Sequence, residues 1–219
     1  MKFDIITIFP DFFESFKQEA LIARAQGKKL ISIHTHSLRD YADDERGTID
    51  GRPYGGGAGM VLLFQPIFKA LKKIKKSKKS KVIVFNPKGK KFDQAMARKW
   101  SKFDQVIMIC GRYEGIDERV MTELADEEIS IGDYVLFGGE VPAMVVMEAI
   151  TRLIPGAVAK EESTLNESFS EGTNLEHPQY TRPEIITLGK KKLKVPKVLL
   201  SGNHKKIIEW REKNSHVLK

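Results

Sequence analysis

The sequence predicts an α/β protein with a mostly parallel sheet, followed by a small, mainly helical and basic C-terminal domain. Short apolar strands alternate with helical segments over residues 1–155 of the 219-residue chain, which is the pattern of a sheet covered by helices. Several of the apolar strands run directly into glycine-rich turns. After Pro155-Gly156 the chain becomes polar and then strongly basic, which indicates a second structural region.

The predicted elements of the α/β region follow in a regular order. Its first part contains strand Lys2–Phe9, helix Phe12–Ala25, strand Leu30–Thr35, helix Gln65–Lys76, strand Lys81–Phe85 and helix Asp93–Ser101. Its second part contains strand Gln105–Cys110, helix Asp117–Ala125, strand Asp133–Phe137 and helix Pro142–Ile154. The long loop Ser37–Gly59 includes the glycine-rich segment Gly51–Gly59. Long loops within compact domains commonly serve a function.

The helix predicted at Pro142–Ile154 begins with proline, which is favoured in the first turn. It is apolar almost all round, so we expect it to be buried. Its one polar stripe contains Glu148 and Arg152 at i,i+4 spacing. From the residues alone, Arg152 reads as a helix-end residue paired with Glu148.

Three glycine-containing turns follow predicted strands: Asn86–Gly89, Gly111–Gly115 and Gly138–Pro142. Glycine allows a ligand or another backbone to approach closely, because it has no Cβ. Ligands of open α/β sheets bind at the carboxyl ends of the strands. The three turns together predict a small-molecule pocket lined mainly by main-chain groups, whereas each alone is more typical of an ordinary tight turn.

Charge is distributed unevenly along the chain. Residues 177–219 contain 11 Lys and Arg against 3 acidic residues, whereas residues 160–176 contain 1 Lys against 5 Glu. We therefore predict three parts: an α/β domain at 1–158, a flexible linker or lid at 159–177, and a basic domain at 178–219 with a helix at His204–Lys213. A basic patch is typical of a nucleic-acid binder, although a lysine-rich composition produces the same charge.

Several classes of site and location are not favoured. Cys110 is the only cysteine, so there is no intrachain disulfide and we expect a cytoplasmic protein with a buried thiol. No apolar run approaches the ~20 residues of a membrane span. The dinucleotide and phosphate-loop fingerprints are absent. His34 and His36 lack further spaced ligands for zinc, and no metal-binding residue is predicted.

Five segments resemble the bacterial tRNA (guanine-N1)-methyltransferase family. They are Arg52–Gly57 with Gly59-Met60, Cys110–Arg119, Ile131–Leu136 with Gly138–Glu140, Tyr180–Pro183 and Leu200–His204. The motifs are long, they occur in the order and at nearly the spacing of the family, and they cover nearly the whole chain. The resemblance implies a SPOUT-type fold with a deep trefoil knot that binds S-adenosylmethionine. It also implies a homodimer with active sites at the subunit interface, which methylates N1 of the tRNA guanosine immediately 3′ of the anticodon.

The resemblance assigns roles to particular residues. The cofactor-binding residues it implies are Phe85, Asn86, Pro87, Gly111, Tyr113, Glu114, Ile131, Gly132, Asp133, Tyr134, Val135, Leu136, Gly138, Gly139 and Pro142. Glu114 is expected near the sulfonium or near a bound Mg²⁺, and the resemblance leaves the Mg²⁺ requirement open. Lysines of the last domain are expected to bind tRNA phosphates, with the linker closing over a flipped guanine.

The catalytic residues follow from the chemistry and the family motif together. Guanine N1 carries a proton at neutral pH, so a general base must remove it while a cation or donor stabilises charge on O6. By position in the motif, the base is Glu167 and the cation is Arg152. Without the family, Glu167 reads as a solvated linker residue.

The sequence departs from the family at a few positions. Glu167 stands where Asp is usual, Gln179 replaces a common His, and Phe137 replaces a common small polar residue. The segment Gly172–Pro178 is one residue longer than usual, and the C-terminal domain is shorter than is usual in the family. Two alternatives stay open: a non-catalytic RNA-binding or assembly factor that kept the fold, and a ribose methyltransferase of the same superfamily that would not need Glu167.

Overall fold

The computed structural model describes residues 1–158, 167–169, 172 and 174–217. The chain divides into two compact units, Met1–Ala159 and Lys160–Lys219. The three-part division with a separate linker at 159–177 remains a prediction, because most of that linker lies outside the described residues.

The first unit is built on five parallel strands in the order β2-β1-β6-β5-β7. The strands are β1 (Lys2–Thr7), β2 (Ser32–Ser37), β5 (Ser80–Lys91), β6 (Gln105–Ile109) and β7 (Glu127–Ser130). All five residues of the central strand β6 are buried, as expected where helices cover both faces of a parallel sheet. The predicted α/β fold with a mostly parallel sheet is thereby confirmed.

Helices cover both faces of this sheet. They are α1 (Glu14–Gln18), α2 (Ala20–Gly27), α3 (Phe64–Lys73), α4 (Gln94–Trp100), α5 (Glu118–Glu123) and α6 (Glu140–Thr151). One core contains Phe3, Trp100 and Met147 and joins the sheet to α2, α4 and α6. The other core contains Ile67 and Ile107 and joins the sheet to α3 and α5. The sheet is therefore the middle layer of three.

The strand predicted at Asp133–Phe137 is wrong. The strand in this part of the chain is β7 at Glu127–Ser130, and residues 131–139 are irregular. β7 begins with two glutamates, so it lacks the apolar run by which a buried strand is predicted. They are accommodated because β7 is an edge strand, where Glu127 pairs with Lys81 at 2.7 Å. The apolar run 133–137 is instead exposed, with Phe137 at 94%.

The helix predicted over Phe12–Ala25 is broken in two. A 3-10 turn at Pro10–Phe13 precedes α1, and Glu19 is extended before Ala20 with φ of 50°. The break allows α2 to bury Ile22 and Ala25, whereas α1 has no buried residue. The long loop also has structure, since β3 (Asp50–Gly51) pairs with β4 (Val61–Leu62).

Helix α6 is less completely buried than the sequence predicts. It begins at Glu140, two residues before Pro142, and most of its residues are buried as predicted. One stripe is not: Val141 is 45% exposed and Val145 43% exposed. The side chains of Glu148 and Arg152 continue this stripe. The polar stripe predicted from the sequence is therefore half of a longer, partly apolar one.

The second unit combines short strands and helices. Its elements are β8 (Asn174–Leu175), β9 (Ile185–Leu188), β10 (Lys191–Lys194), α7 (Lys197–Leu200), α8 (His204–Asn214) and β11 (His216–Val217). The predicted helix is confirmed as α8, and Asn203 caps it by accepting a hydrogen bond from the Lys206 N–H. The β9–β10 hairpin is not predicted by the sequence analysis. In the part of the chain that the structure describes, no helix is long and apolar enough to span a membrane.

Candidate functional site

A cleft of about 380 Å³ opens at the carboxyl ends of β6 and β7 and at the irregular middle of β5. Three chain segments form it: residues 85–88 within the irregular part of β5, residues 111–121 after β6, and residues 129–142 around the end of β7. Parallel strands place the segments that follow them at one edge of a sheet, so these distant parts of the sequence meet. The volume is within the ~300–1,000 Å³ typical of small-molecule sites.

The structure brings together all the residues predicted to bind the cofactor except Asp133. The other predicted residues, from Phe85 to Pro142, line this one cleft. Asp133 instead forms an ion pair with Lys91, with 2.7 Å between Oδ2 and Nζ. That the lining residues bind a cofactor remains a prediction.

Several lining residues are not predicted from the sequence. They are Lys88, Arg112, Gly115, Ile116, Glu118, Met121, Ile129, Ser130 and Phe137. Arg112 is the most informative of them, because it stands between two predicted residues in the turn after β6. A charged residue inside a glycine-rich turn is a signal that could have identified it.

Two of the cleft-forming segments touch through their backbones. The Gly139 N–H donates a hydrogen bond to the Gly111 carbonyl at 3.0 Å. A Cβ built at Gly139 would lie 2.6 Å from the Cys110 Cα, so no side chain fits there without moving the backbone. Glycine at position 139 therefore permits the close packing that shapes the cleft.

The glycine-rich loop supports the turn after β6 from the other side. The Glu114 N–H donates to the Met60 carbonyl at 3.0 Å, and the Leu62 N–H donates to the Gly115 carbonyl at 2.9 Å. Asp117 N–H donates in turn to the Leu62 carbonyl at 3.0 Å. The end of this loop thus fixes the turn that carries Tyr113 and Glu114.

Cys110 lies directly before this turn and is buried. Burial raises the pKa of its thiol well above the ordinary value, and the nearby Glu140 carboxylate raises it further. The thiol therefore stays protonated and is a poor nucleophile at neutral pH. This agrees with the interpretation of Cys110 as a buried hydrophobic residue.

Arg152 lies in a different cavity of the first unit, of about 220 Å³. Phe16, Leu21 and Ile22 supply much of its apolar wall, and Glu148 also lines it. Arg152 follows Pro142 by ten positions along α6 and its C-cap, a distance of about 15 Å at 1.5 Å per residue. Within one chain, the predicted cation and the cleft therefore lie at opposite ends of α6.

Glu167 belongs to the second unit and is 9% exposed. Close to it, the Phe169 N–H donates to the Asn174 carbonyl at 2.7 Å and the Glu176 N–H donates to the Ser168 Oγ at 3.0 Å. The segment that carries Glu167 is thus tied to β8. This differs from the solvated linker residue that the sequence alone indicates.

Within the described ranges, no group of three or more His, Cys, Asp or Glu side chains is arranged to hold a metal ion. Glu114 and Glu118 both line the cleft. These two carboxylates alone do not form a metal cage, so they give no structural support for a Mg²⁺ site.

Comparison with known proteins identifies relatives over nearly the full chain. The family profile described as tRNA (Guanine-1)-methyltransferase TrmD matches residues 1–218. A tRNA (guanine-N(1)-)-methyltransferase of Prochlorococcus marinus is 51% identical over 95% of this chain and 83% of its own length. One from Ruminiclostridium cellulolyticum is 48% identical over 98% of this chain and 91% of its own. A third, from Clostridioides difficile, is 46% identical over 98% and 92%. The chain belongs to the tRNA (guanine-1)-methyltransferase family.

Proposed function

We propose that this protein transfers a methyl group from S-adenosylmethionine to N1 of the guanosine immediately 3′ of the anticodon in tRNA, which maintains the reading frame. The observation that carries the proposal is the cleft, since nearly every residue implied for the methyl donor lines it. Family membership supports the reaction type. A tRNA substrate would place the enzyme in the cytoplasm.

The cleft suits a ligand held by main-chain groups and apolar contacts. The turns that contain Gly111, Gly132 and Gly138 line it, and Tyr134 and Leu136 contribute apolar surface. S-adenosylmethionine would supply the electrophilic methyl carbon. The turns would bind and orient it, and the apolar side chains would exclude water from the reacting centre.

The transfer forms a bond between guanine N1 and the methyl carbon and breaks the bond from that carbon to sulfur. The N1 proton has to leave in the same reaction, and we assign its removal to the Glu167 carboxylate. We assign stabilisation of charge on guanine O6 to the Arg152 guanidinium, which can donate two hydrogen bonds to oxygen acceptors.

A homodimer would complete the active site. The exposed stripe of α6 joins the apolar Val141 and Val145 to Arg152, and an apolar helix face of this kind favours a protein partner. If two copies of α6 crossed in antiparallel fashion, Arg152 of one would approach the Gly139 end of the other. This would remove the separation of about 15 Å that a single helix imposes.

We include the trefoil knot of the SPOUT fold in the proposal. The close backbone packing of Gly139 against Cys110, after an irregular segment that leaves β7, supports a chain that passes tightly by its own earlier turns. The exposed lysines of the second unit, among them Lys191 and Lys205, support tRNA phosphate binding.

The test is a methylation assay on a tRNA transcript with guanosine 3′ of the anticodon, and a transcript with adenosine there is the control. We expect incorporation only into the first, with the product identified as 1-methylguanosine by mass spectrometry. A methyl group found on ribose would instead support the ribose methyltransferase. Transfer no greater than that of a Glu167→Ala, Arg152→Ala double variant, with no calorimetric binding of S-adenosylmethionine, would support the non-catalytic RNA-binding factor.

A further inference from the structure

A buried carboxylate lies immediately behind the cleft. Glu140, the first residue of α6, is fully buried and does not line the cleft. Its Oε1 accepts a hydrogen bond from the Thr7 hydroxyl at 2.7 Å, and its Oε2 accepts one from the Arg112 Nε at 2.9 Å. Thr7 ends β1, and Arg112 belongs to the turn after β6. One side chain therefore joins three elements that are far apart in the sequence.

These contacts close into a ring. The Phe9 N–H donates to the Thr7 Oγ1 at 3.0 Å, and the Thr7 hydroxyl donates to Glu140. The Arg112 guanidinium lies over the Phe9 ring, 4.8 Å from its centroid. Arg112 is thus held by a carboxylate and by an aromatic face, and its freedom to move is small.

The glycines of the next turn leave no spare room around this ion pair. A Cβ built at Gly138 would lie 2.3 Å from the Arg112 Nε and 2.8 Å from the Glu140 Oε2. The pair therefore packs directly between the turn after β6 and the turn before α6. Both turns line the cleft, so the position of Arg112 is coupled to the shape of the cleft.

Charge gives this arrangement a further consequence. Arg112 lines the cleft and is always protonated, whereas S-adenosylmethionine carries a positive sulfonium. An unpaired guanidinium in the wall would repel that ligand, and repulsion is strong where water is partly excluded. The Glu140 carboxylate neutralises Arg112 from behind without itself touching the ligand.

We propose that Glu140 is a positioning residue that fixes Arg112 in the cleft wall and neutralises its charge, so that the cleft accepts a cationic methyl donor. This rests on the proposed function, because it takes S-adenosylmethionine as the ligand. S-adenosylhomocysteine has nearly the same shape but a neutral sulfur. A charge effect must therefore weaken binding of the methyl donor more than binding of this product, whereas a purely structural effect weakens both equally.

The experiment measures the dissociation constants of both ligands by calorimetry for the full chain and for Glu140→Gln, which keeps the shape but removes the charge. We expect the affinity ratio of methyl donor to product to fall about tenfold in the variant. Thr7→Val is the matched control, because it removes one hydrogen bond of the ring and no charge. It should leave the ratio unchanged.

A second variant keeps the proposal testable if Glu140→Gln folds poorly. The double variant Arg112→Gln, Glu140→Gln removes both charges and should restore the ratio of the native chain to within about twofold. A ratio unchanged in Glu140→Gln, or a ratio still lowered in the double variant, would overturn the role of Glu140. If the native chain binds neither ligand, the proposed function fails instead, which is a different outcome.

Discussion

The two ends of helix α6 line two different kinds of cavity. At its first turn, Gly139 and Pro142 border a cleft shaped by backbone turns, and Arg112 and Glu140 form a neutral pair in and behind its wall. At its C-terminal end, Arg152 borders a smaller cavity of about 220 Å³. The first end is suited to binding and the second to supplying a charge. Under the proposed function, methyl-donor binding and catalysis are therefore separated along one helix, and substitutions should separate them too.

The largest expected effect is on catalysis alone. Arg152→Ala removes the proposed partner of guanine O6 and should lower kcat by about 10²–10³-fold, the usual loss for a donor that stabilises developing charge. The dissociation constant of S-adenosylmethionine should stay within about twofold, because Arg152 is proposed to contact guanine O6 and is not among the residues that line the cleft. Single-turnover methylation and calorimetry measure the two quantities, and parallel losses in both would contradict the separation.

Mixed dimers test whether the two ends meet between subunits. Chains that carry Arg152→Ala are mixed with chains that carry Leu136→Trp, a change that fills the cleft. Each variant alone is first shown to be inactive. If each active site takes its cleft from one chain and Arg152 from the other, mixed dimers regain one working site. We expect about one quarter of native activity at equal, random mixing, since half the dimers are mixed. No recovery, with subunit exchange shown by differently tagged chains, would rule out the shared site.

Substitutions at the cleft end of α6 should instead lower stability and methyl-donor affinity. Gly139→Ala places a Cβ against the Cys110 backbone and should cost about 1–3 kcal/mol of stability by overpacking. Affinity for S-adenosylmethionine should fall at least tenfold, because the two turns must move apart. Gly27→Ala is the matched control, since a Cβ there has no neighbour within 4 Å. Thermal unfolding and calorimetry distinguish the two variants, and equal results would contradict the role of Gly139.

The two cavities also differ in how far the sequence could predict them. The glycine-containing turns leave a local pattern that predicts three stretches of the cleft wall, whereas the wall residues within 131–136 are implied only by the resemblance. The assignment of Arg152 came only from the resemblance, because nothing in its immediate sequence distinguishes it from a helix-end residue. The Thr7–Glu140 bond joins residues 133 positions apart, and no local pattern reports such a contact.

The wrong predictions about the fold have similar physical causes. The strand β7 escaped prediction because its glutamates are stabilised by partners outside the strand. The apolar run 133–137 was assigned to a strand because a cleft wall and a sheet can have the same composition. Helix α6 was expected to be buried, yet its Val141 and Val145 are exposed in the single chain. Apolar pattern indicates what is buried, but not whether a strand, a ligand or a second subunit covers it.

The smallest effect on methyl-donor affinity is expected from Asp4 in β1, which lines neither cavity. Asp4 is fully buried, and its carboxylate accepts hydrogen bonds from Gln105 at 2.7 Å and from Lys2 at 3.1 Å, and contacts His36 at 2.8 Å. Burial raises the pKa of Asp4, but the hydrogen bonds from His36, Gln105 and Lys2 together outweigh it, so the pKa lies below its ordinary value. The native state thus favours the charged carboxylate.

A lowered native pKa stabilises the fold above the unfolded-state pKa of about 3.9, and this stability is lost as pH falls through the native value. Asp4→Asn should therefore destabilise the protein at pH 7 by about 1–3 kcal/mol and flatten the dependence of the unfolding free energy on pH below about 4. Urea unfolding at a series of pH values measures both. Methyl-donor affinity should not change, since Asp4 lines neither of the two cavities at the ends of α6. A loss of affinity without a change in acid stability would show that this network acts on the cleft instead of on the fold.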